Sequence, residues 1–151
     1  MDELRELYQQ VILDHNKNPR NFGKLEGANR QQEGFNPLCG DHLHVYLQVD
    51  DDDVIEDIRF EGAGCAISKA SASLMTDAVK GRSSAEAEAV FERFQALVTS
   101  DVETPVDQAQ VGKLAVLAGV REFPMRVKCA TLAWHTMRSA LNQQVVPTTT
   151  E

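Results

Sequence analysis

Leu43, Val45, Leu47 and Val49 alternate with His44, Tyr46 and Gln48. A strict period of two sends successive side chains to opposite faces of an extended chain, so this run buries its apolar half as a strand and in no other regular form. After Asp50-Asp51-Asp52-Asp53 a second alternation begins, with Val54, Ile58 and Phe60 on one face and Ile55, Asp57 and Arg59 on the other. Two such runs joined by a short polar segment predict an antiparallel hairpin. The four aspartates read as its solvated turn, since the EF-hand spacing with its glycine and closing glutamate is absent. A further short strand is expected near Gln31 to Gly34.

Helical signals flank this hairpin. Leu4, Leu7, Tyr8, Val11 and His15 share one face of a predicted helix over Asp2 to Asn16, stopped by Asn18-Pro19-Arg20-Asn21-Phe22-Gly23. Gly62 and Gly64 break the second strand, and Ala66 to Val79 then reads as a helix rich in Ala and Ser. Ser83 and Glu86 have the spacing of a capping box ahead of the apolar positions Val90, Phe91, Phe94, Leu97 and Val98. A polar loop (101–110), a short helical piece over Lys113 to Leu117 and a last helix over Met125 to Gln144 complete the pattern, with Trp134 and Met137 expected in the core. Strands come early and helices late. The predicted fold class is therefore α+β, a small antiparallel sheet of about three strands with helices packed on one face. Residues 1–144 are read as one domain and 145–151 as a flexible tail.

The chain's 151 residues, 42% of them hydrophobic, suffice for a packed core. A net charge of −8, from 15 basic and 23 acidic side chains, argues against nucleic-acid binding, which needs a basic surface to displace counterions. No apolar run is long enough to span a membrane. The opening Met1-Asp2-Glu3-Leu4-Arg5-Glu6 lacks the basic start and apolar stretch of a secretory signal, so a cytoplasmic location is expected.

Cys39, Cys65 and Cys129 are the only cysteines, an odd number in a chain read as cytoplasmic, where disulfides are disfavoured. Each is placed at the end of a predicted element. Gly40 separates Cys39 from Asp41 and lets a turn aim both side chains at one point. Gly62 and Gly64 allow close backbone approach before Cys65. Cys129 is placed at the start of the last helix, where the helix dipole favours a thiolate, with Arg126 and Lys128 adding positive charge. Three thiolates and a carboxylate would satisfy a tetrahedral zinc ion, or iron. Spacing alone does not decide this: there is no CxxC pair, and three cysteines packed as small hydrophobes account for the spacing slightly better.

Longer segments carry more. Asn36-Pro37-Leu38-Cys39-Gly40-Asp41, then Phe60 to Ser68 around Gly62-Ala63-Gly64-Cys65, then Arg126-Val127-Lys128-Cys129-Ala130-Thr131-Leu132-Ala133-Trp134 resemble the three signature segments of the IscU/NifU-like iron–sulfur assembly proteins. The likeness to the SufU-type branch is closer. It includes Asp14 to Gly23 and Ala70 to Thr76 and runs from about Leu4 to Leu141. Where the IscU branch has a His directly before its third cysteine, this chain has Lys128. It also lacks that branch's Pro-rich chaperone-recognition segment and carries an extra helical stretch around Ser100 to Gly119. The resemblance implies an IscU/SufU-like fold and zinc ligands at Cys39, Asp41, Cys65 and Cys129. It implies a SufS-like cysteine desulfurase as partner, alongside other iron–sulfur assembly proteins. The implied activity is that of a zinc-dependent sulfur acceptor with Cys39 as the catalytic thiol; the alternative is a scaffold for a transient [2Fe-2S] cluster on the same cysteines. Arg126 is expected to pair with Asp41 or to steady the site.

Overall fold

The computed structural model describes residues 2–150, leaving Met1, Glu151 and the side chains of Asp2 and Leu4 outside the description; Leu4 was among the expected face residues of the first helix. The elements are α1 (Asp2–Lys17), β1 (Arg30–Asn36), β2 (Asp41–Val49), β3 (Ile55–Ala63), α2 (Ala66–Val79), α3 (Ser84–Thr99), a four-residue α4 (Gln108–Val111), a 3-10 helix (Gly112–Glu122), α5 (Pro124–Leu141) and β4 (Thr148–Thr149). The sheet order is β3-β2-β1-β4, antiparallel except for the β1–β4 pair.

The fold is α+β as the patterning implies. Leu43, Val45, Leu47 and Val49 all face the helices and are at most 5% exposed. Trp134 of α5 is fully buried, stacked on Phe94 with ring centroids 4.7 Å apart, and its indole N–H donates to Ser71 Oγ of α2. Ser83 and Glu86 form the expected capping box at the start of α3. On the open face His42 stacks on Phe35 and His44 on Tyr46, so both histidines lie outward, as their parity in the strand requires.

Three expectations change. Ile55, assigned by strict alternation to the outer face, is fully buried together with Ile58. The ladder explains this: Gln48 pairs with Asp57 but Val49 pairs with Ile55, so Glu56 is an extra residue on β3 and the bulge reverses the parity. The sheet has four strands rather than about three, because the tail returns: Gly34 and Phe35 pair with Thr148 and Thr149. Gln32, buried in β1, holds the approach by donating from Nε2 to the carbonyls of Gln144 and Val146. Leu7 is 53% exposed and Ile12 packs inward in its place, while His15 lies on the inner face as expected, its Nδ1 2.7 Å from Ser73 Oγ. His135 of α5 packs edge-on against Phe91 with centroids 4.9 Å apart.

Candidate metal centre

The turn between β1 and β2 is built by Asn36. Its carbonyl accepts from the backbone N–H of Cys39 at 3.2 Å and of Gly40 at 2.9 Å, curling residues 36–40 into a tight loop. Gly40 has φ +72°, a conformation that L side chains rarely adopt. The loop leaves Cys39 exposed and delivers Asp41, the first residue of β2, inward at 2% exposure. From the far end of the hairpin, Cys65 serves as N-cap of α2, its Sγ accepting from Ser68 N–H. Gly64 before it passes so close to Asp41 that a Cβ there would lie 2.7 Å from Oδ1. Cys129 comes from α5 and is 3% exposed.

These pieces converge. Ligand atoms of Cys39, Asp41 and Cys129 lie within 4.8 Å of one another. Cys129 Sγ lies 3.4 Å from Cys39 Sγ, against about 3.8 Å for two thiolates on one tetrahedral zinc with bonds near 2.3 Å. Asp41 Oδ1 accepts from the Cys65 backbone N–H at 2.9 Å, which ties the α2 cap to the carboxylate. The Asn36 amide donates to Asp41 Oδ2 at 3.2 Å and to Cys129 Sγ at 3.4 Å. Burial pushes the Cys129 thiol well above its ordinary range, reinforced by the hydrogen bond with Cys39, by the charge and hydrogen bond of Cys65, and by the Asp41 charge. Among the described residues no Lys, Arg or His side chain pairs with any of these four. A donor set of soft sulfurs and one carboxylate, short of positive charge, fits a thiophilic divalent cation.

The site draws together Cys39, Asp41 and Cys129, with Cys65 adjacent and in electrostatic contact with Cys129. Arg126 lies elsewhere: its guanidinium sits 4.3 Å over the Phe123 ring at the exposed start of α5. Lys128 is exposed as well. The helix-dipole argument for Cys129 does not hold, because α5 begins at Pro124 and the cysteine lies in its second turn, beyond the free N–H groups. Asn36 was quoted in the sequence only as the start of a motif. Its role follows from its inward parity in β1, where Gln32, Gly34 and Asn36 are the buried positions. A strand expected only over residues 31–34 could not reveal that parity.

Residues 7–130 match the family model described as the NifU-like N terminal domain. The chain is 43% identical over 143 residues to the iron–sulfur cluster assembly scaffold protein IscU of Streptococcus pyogenes serotype M1, covering 95% of this chain and 87% of that one. It is 40% identical over 138 residues to the zinc-dependent sulfurtransferase SufU of Bacillus subtilis (strain 168), covering 91% of both. Among solved structures, a SUF-system scaffold candidate, FiSufU of Fervidobacterium islandicum AW-1, superposes with a TM-score of 0.79 at 35% identity, over 87% of this chain and 94% of that one.

Proposed function

This chain belongs to the NifU-like N-terminal domain family, the IscU and SufU proteins of iron–sulfur cluster assembly, and we propose that within it the protein is a zinc-dependent sulfur acceptor served by a cysteine desulfurase. The observation that carries this reading is the convergence of Cys39, Asp41 and Cys129 within 4.8 Å, with Cys39 alone of the three exposed. Zinc, held by these residues and Cys65, would keep the thiols deprotonated near neutral pH, where buried Cys129 on its own would hold its proton.

The chain's own residues do the rest. Cys39 sits on an exposed loop whose hinge, Gly40, has open space around its Cα, so the thiolate can be presented outward without repacking the core. Cys129, buried on α5, and Cys65, tied to the α2 cap, remain as anchors. In the transfer the Cys39 thiolate attacks the outer sulfur of a persulfide on the donor. The donor's S–S bond breaks, its cysteine leaves as a thiolate, and Cys39 carries the new persulfide; no net electrons are exchanged. Arg126, which rests over the Phe123 ring, is assigned to steadying the site once Cys39 has moved, a role that requires it to leave that ring. The setting is cytoplasmic, and no described helix is long and apolar enough to cross a membrane.

The test is to react the protein with a cysteine desulfurase and cysteine and to map persulfide by mass spectrometry. Sulfur should appear on Cys39, and Cys39→Ser should abolish both the adduct and stimulation of the desulfurase. Persulfide first on Cys129, with Cys39 unmodified, refutes the assignment. The scaffold reading, a [2Fe-2S] cluster on the same cysteines, is favoured by the name of the Streptococcus relative. Anaerobic purification separates the two: a colourless protein with one zinc per chain supports the acceptor, and a brown protein with iron and sulfide supports the scaffold.

A further inference from the structure

The last strand of the chain touches the metal centre through one residue. Asn36 is 1% exposed at the end of β1, and every polar atom of its side chain is used. Nδ2 donates to Asp41 Oδ2 at 3.2 Å and to Cys129 Sγ at 3.4 Å. Oδ1 accepts from Thr150 Oγ1 at 2.9 Å. Thr150 is itself fixed, because its backbone N–H donates to the Phe35 carbonyl at 3.1 Å, just past the β1–β4 pairing.

An asparagine amide has one donor end and one acceptor end of nearly equal shape, so its neighbours decide which way it faces. Turned about, this one would set its carbonyl against a carboxylate and a sulfur. The Thr150 hydroxyl rewards the facing in which the two N–H groups meet the carboxylate and the sulfur. At 3.2 and 3.4 Å these contacts are long for hydrogen bonds to charged groups, so what the amide contributes here is orientation. The groups around a metal's ligands orient them, and their loss commonly weakens binding.

From this we infer that Asn36 and Thr150 form a positioning pair. The C-terminal strand holds the Asn36 amide against Cys129 and Asp41, and its docking on β1 sets how tightly the site grips its metal. The Asn36 carbonyl also builds the Cys39 loop, so this one residue reaches three of the four proposed ligands. Undocking β4 loosens the grip with no change in the ligands themselves. The inference rests on the metal-site reading above.

The test compares the full chain with Thr150→Val, which keeps shape and removes the hydroxyl, and Thr150→Ser, which restores it. Zinc affinity is read by competition with a chromophoric chelator, ligand geometry by the absorption of the cobalt-substituted protein, and folding by the melting temperature of the metal-free form. Thr150→Val should bind zinc about tenfold more weakly and shift the cobalt spectrum, with metal-free melting unchanged and Thr150→Ser close to wild type. Asn36→Ala should lose more, about 10- to 100-fold, and Thr150→Val keeps the test open if that variant folds poorly. Wild-type affinity and spectrum in Thr150→Val overturn the pair and leave the metal reading standing. So does a Thr150→Ser as weak as Thr150→Val, or a loss confined to metal-free melting. A wild-type chain that binds no zinc overturns the metal reading and the pair together.

Discussion

Gly64→Ala tests the geometry of the centre without touching a ligand. A Cβ at this position would stand 2.7 Å from Asp41 Oδ1 and 3.2 Å from its Cγ. The shortest ordinary C···O contacts are about 3.3 Å, so the methyl overlaps the carboxylate oxygen by about 0.6 Å. Asp41 cannot simply swing aside. Its Oδ1 is held by the Cys65 N–H and its Oδ2 by the Asn36 amide, and it is 2% exposed. Either the carboxylate or the start of α2 must shift by roughly half an ångström, more than twice the ±0.2 Å or so within which metal–ligand distances fall. Overpacking of this kind costs about 1–3 kcal/mol. If it falls mainly on the metal-bound arrangement, zinc affinity drops by about 5- to 140-fold at 1.4 kcal/mol per decade. The assay is chelator competition at equilibrium, paired with melting of the metal-free form to separate folding from binding. A Gly64→Ala protein that binds zinc within twofold of wild type would show that Asp41 is not a ligand in this position, or that the α2 cap is far softer than its hydrogen bonds imply.

Two further outcomes follow from the same structure. Metal removal should lower the melting temperature without unfolding the chain at room temperature, because the apolar core is built independently of the ligands. With free zinc a thousandfold above Kd the linkage is about 4 kcal/mol, roughly 8–16 °C for a chain of this size, and an unchanged melting curve after verified removal argues against a site joining three segments. In the metal-free protein stability should also fall on acidification. The His15 ring is held below its ordinary value first by burial and then by the Arg20 charge, with Lys113 adding to this and Asp77 and Asp14 opposing it. The folded chain therefore leaves His15 neutral where the unfolded chain takes up a proton, so stability is complete above the ordinary histidine value and is lost as pH falls from there towards the depressed folded one. His44 and His135 are depressed by burial in the same direction. Melting between about pH 7.5 and 5.5 should show a smaller acid loss in His15→Gln than in wild type, by a few degrees, and equal slopes would refute the assignment.

Much of this protein is legible in its sequence because the signals are local. The alternation in Leu43 to Val49 fixes which side chains β2 buries, since parity in a strand is set by the backbone alone. Ser83 and Glu86 mark the start of α3 because a capping box is satisfied within four residues. The segments around Cys39, Cys65 and Cys129 name the chemistry, since residue type sets what a side chain can ligate. Other features belong to the tertiary structure. Ile55 turns inward through one extra residue in β3, visible only in the ladder with β2. Thr148 and Thr149 form a strand because β1 offers a free edge and Gln32 holds the chain leading to it. Cys129 and Cys39, ninety positions apart, meet only because α5 packs across β1 and β2. Asn36 is no more than the first residue of a motif until the fold surrounds it with Asp41, Cys129 and Thr150. Local backbone preference acts over a few residues and is written in the sequence. The meeting of distant groups is decided by which faces must be buried together, a property of the whole packed chain.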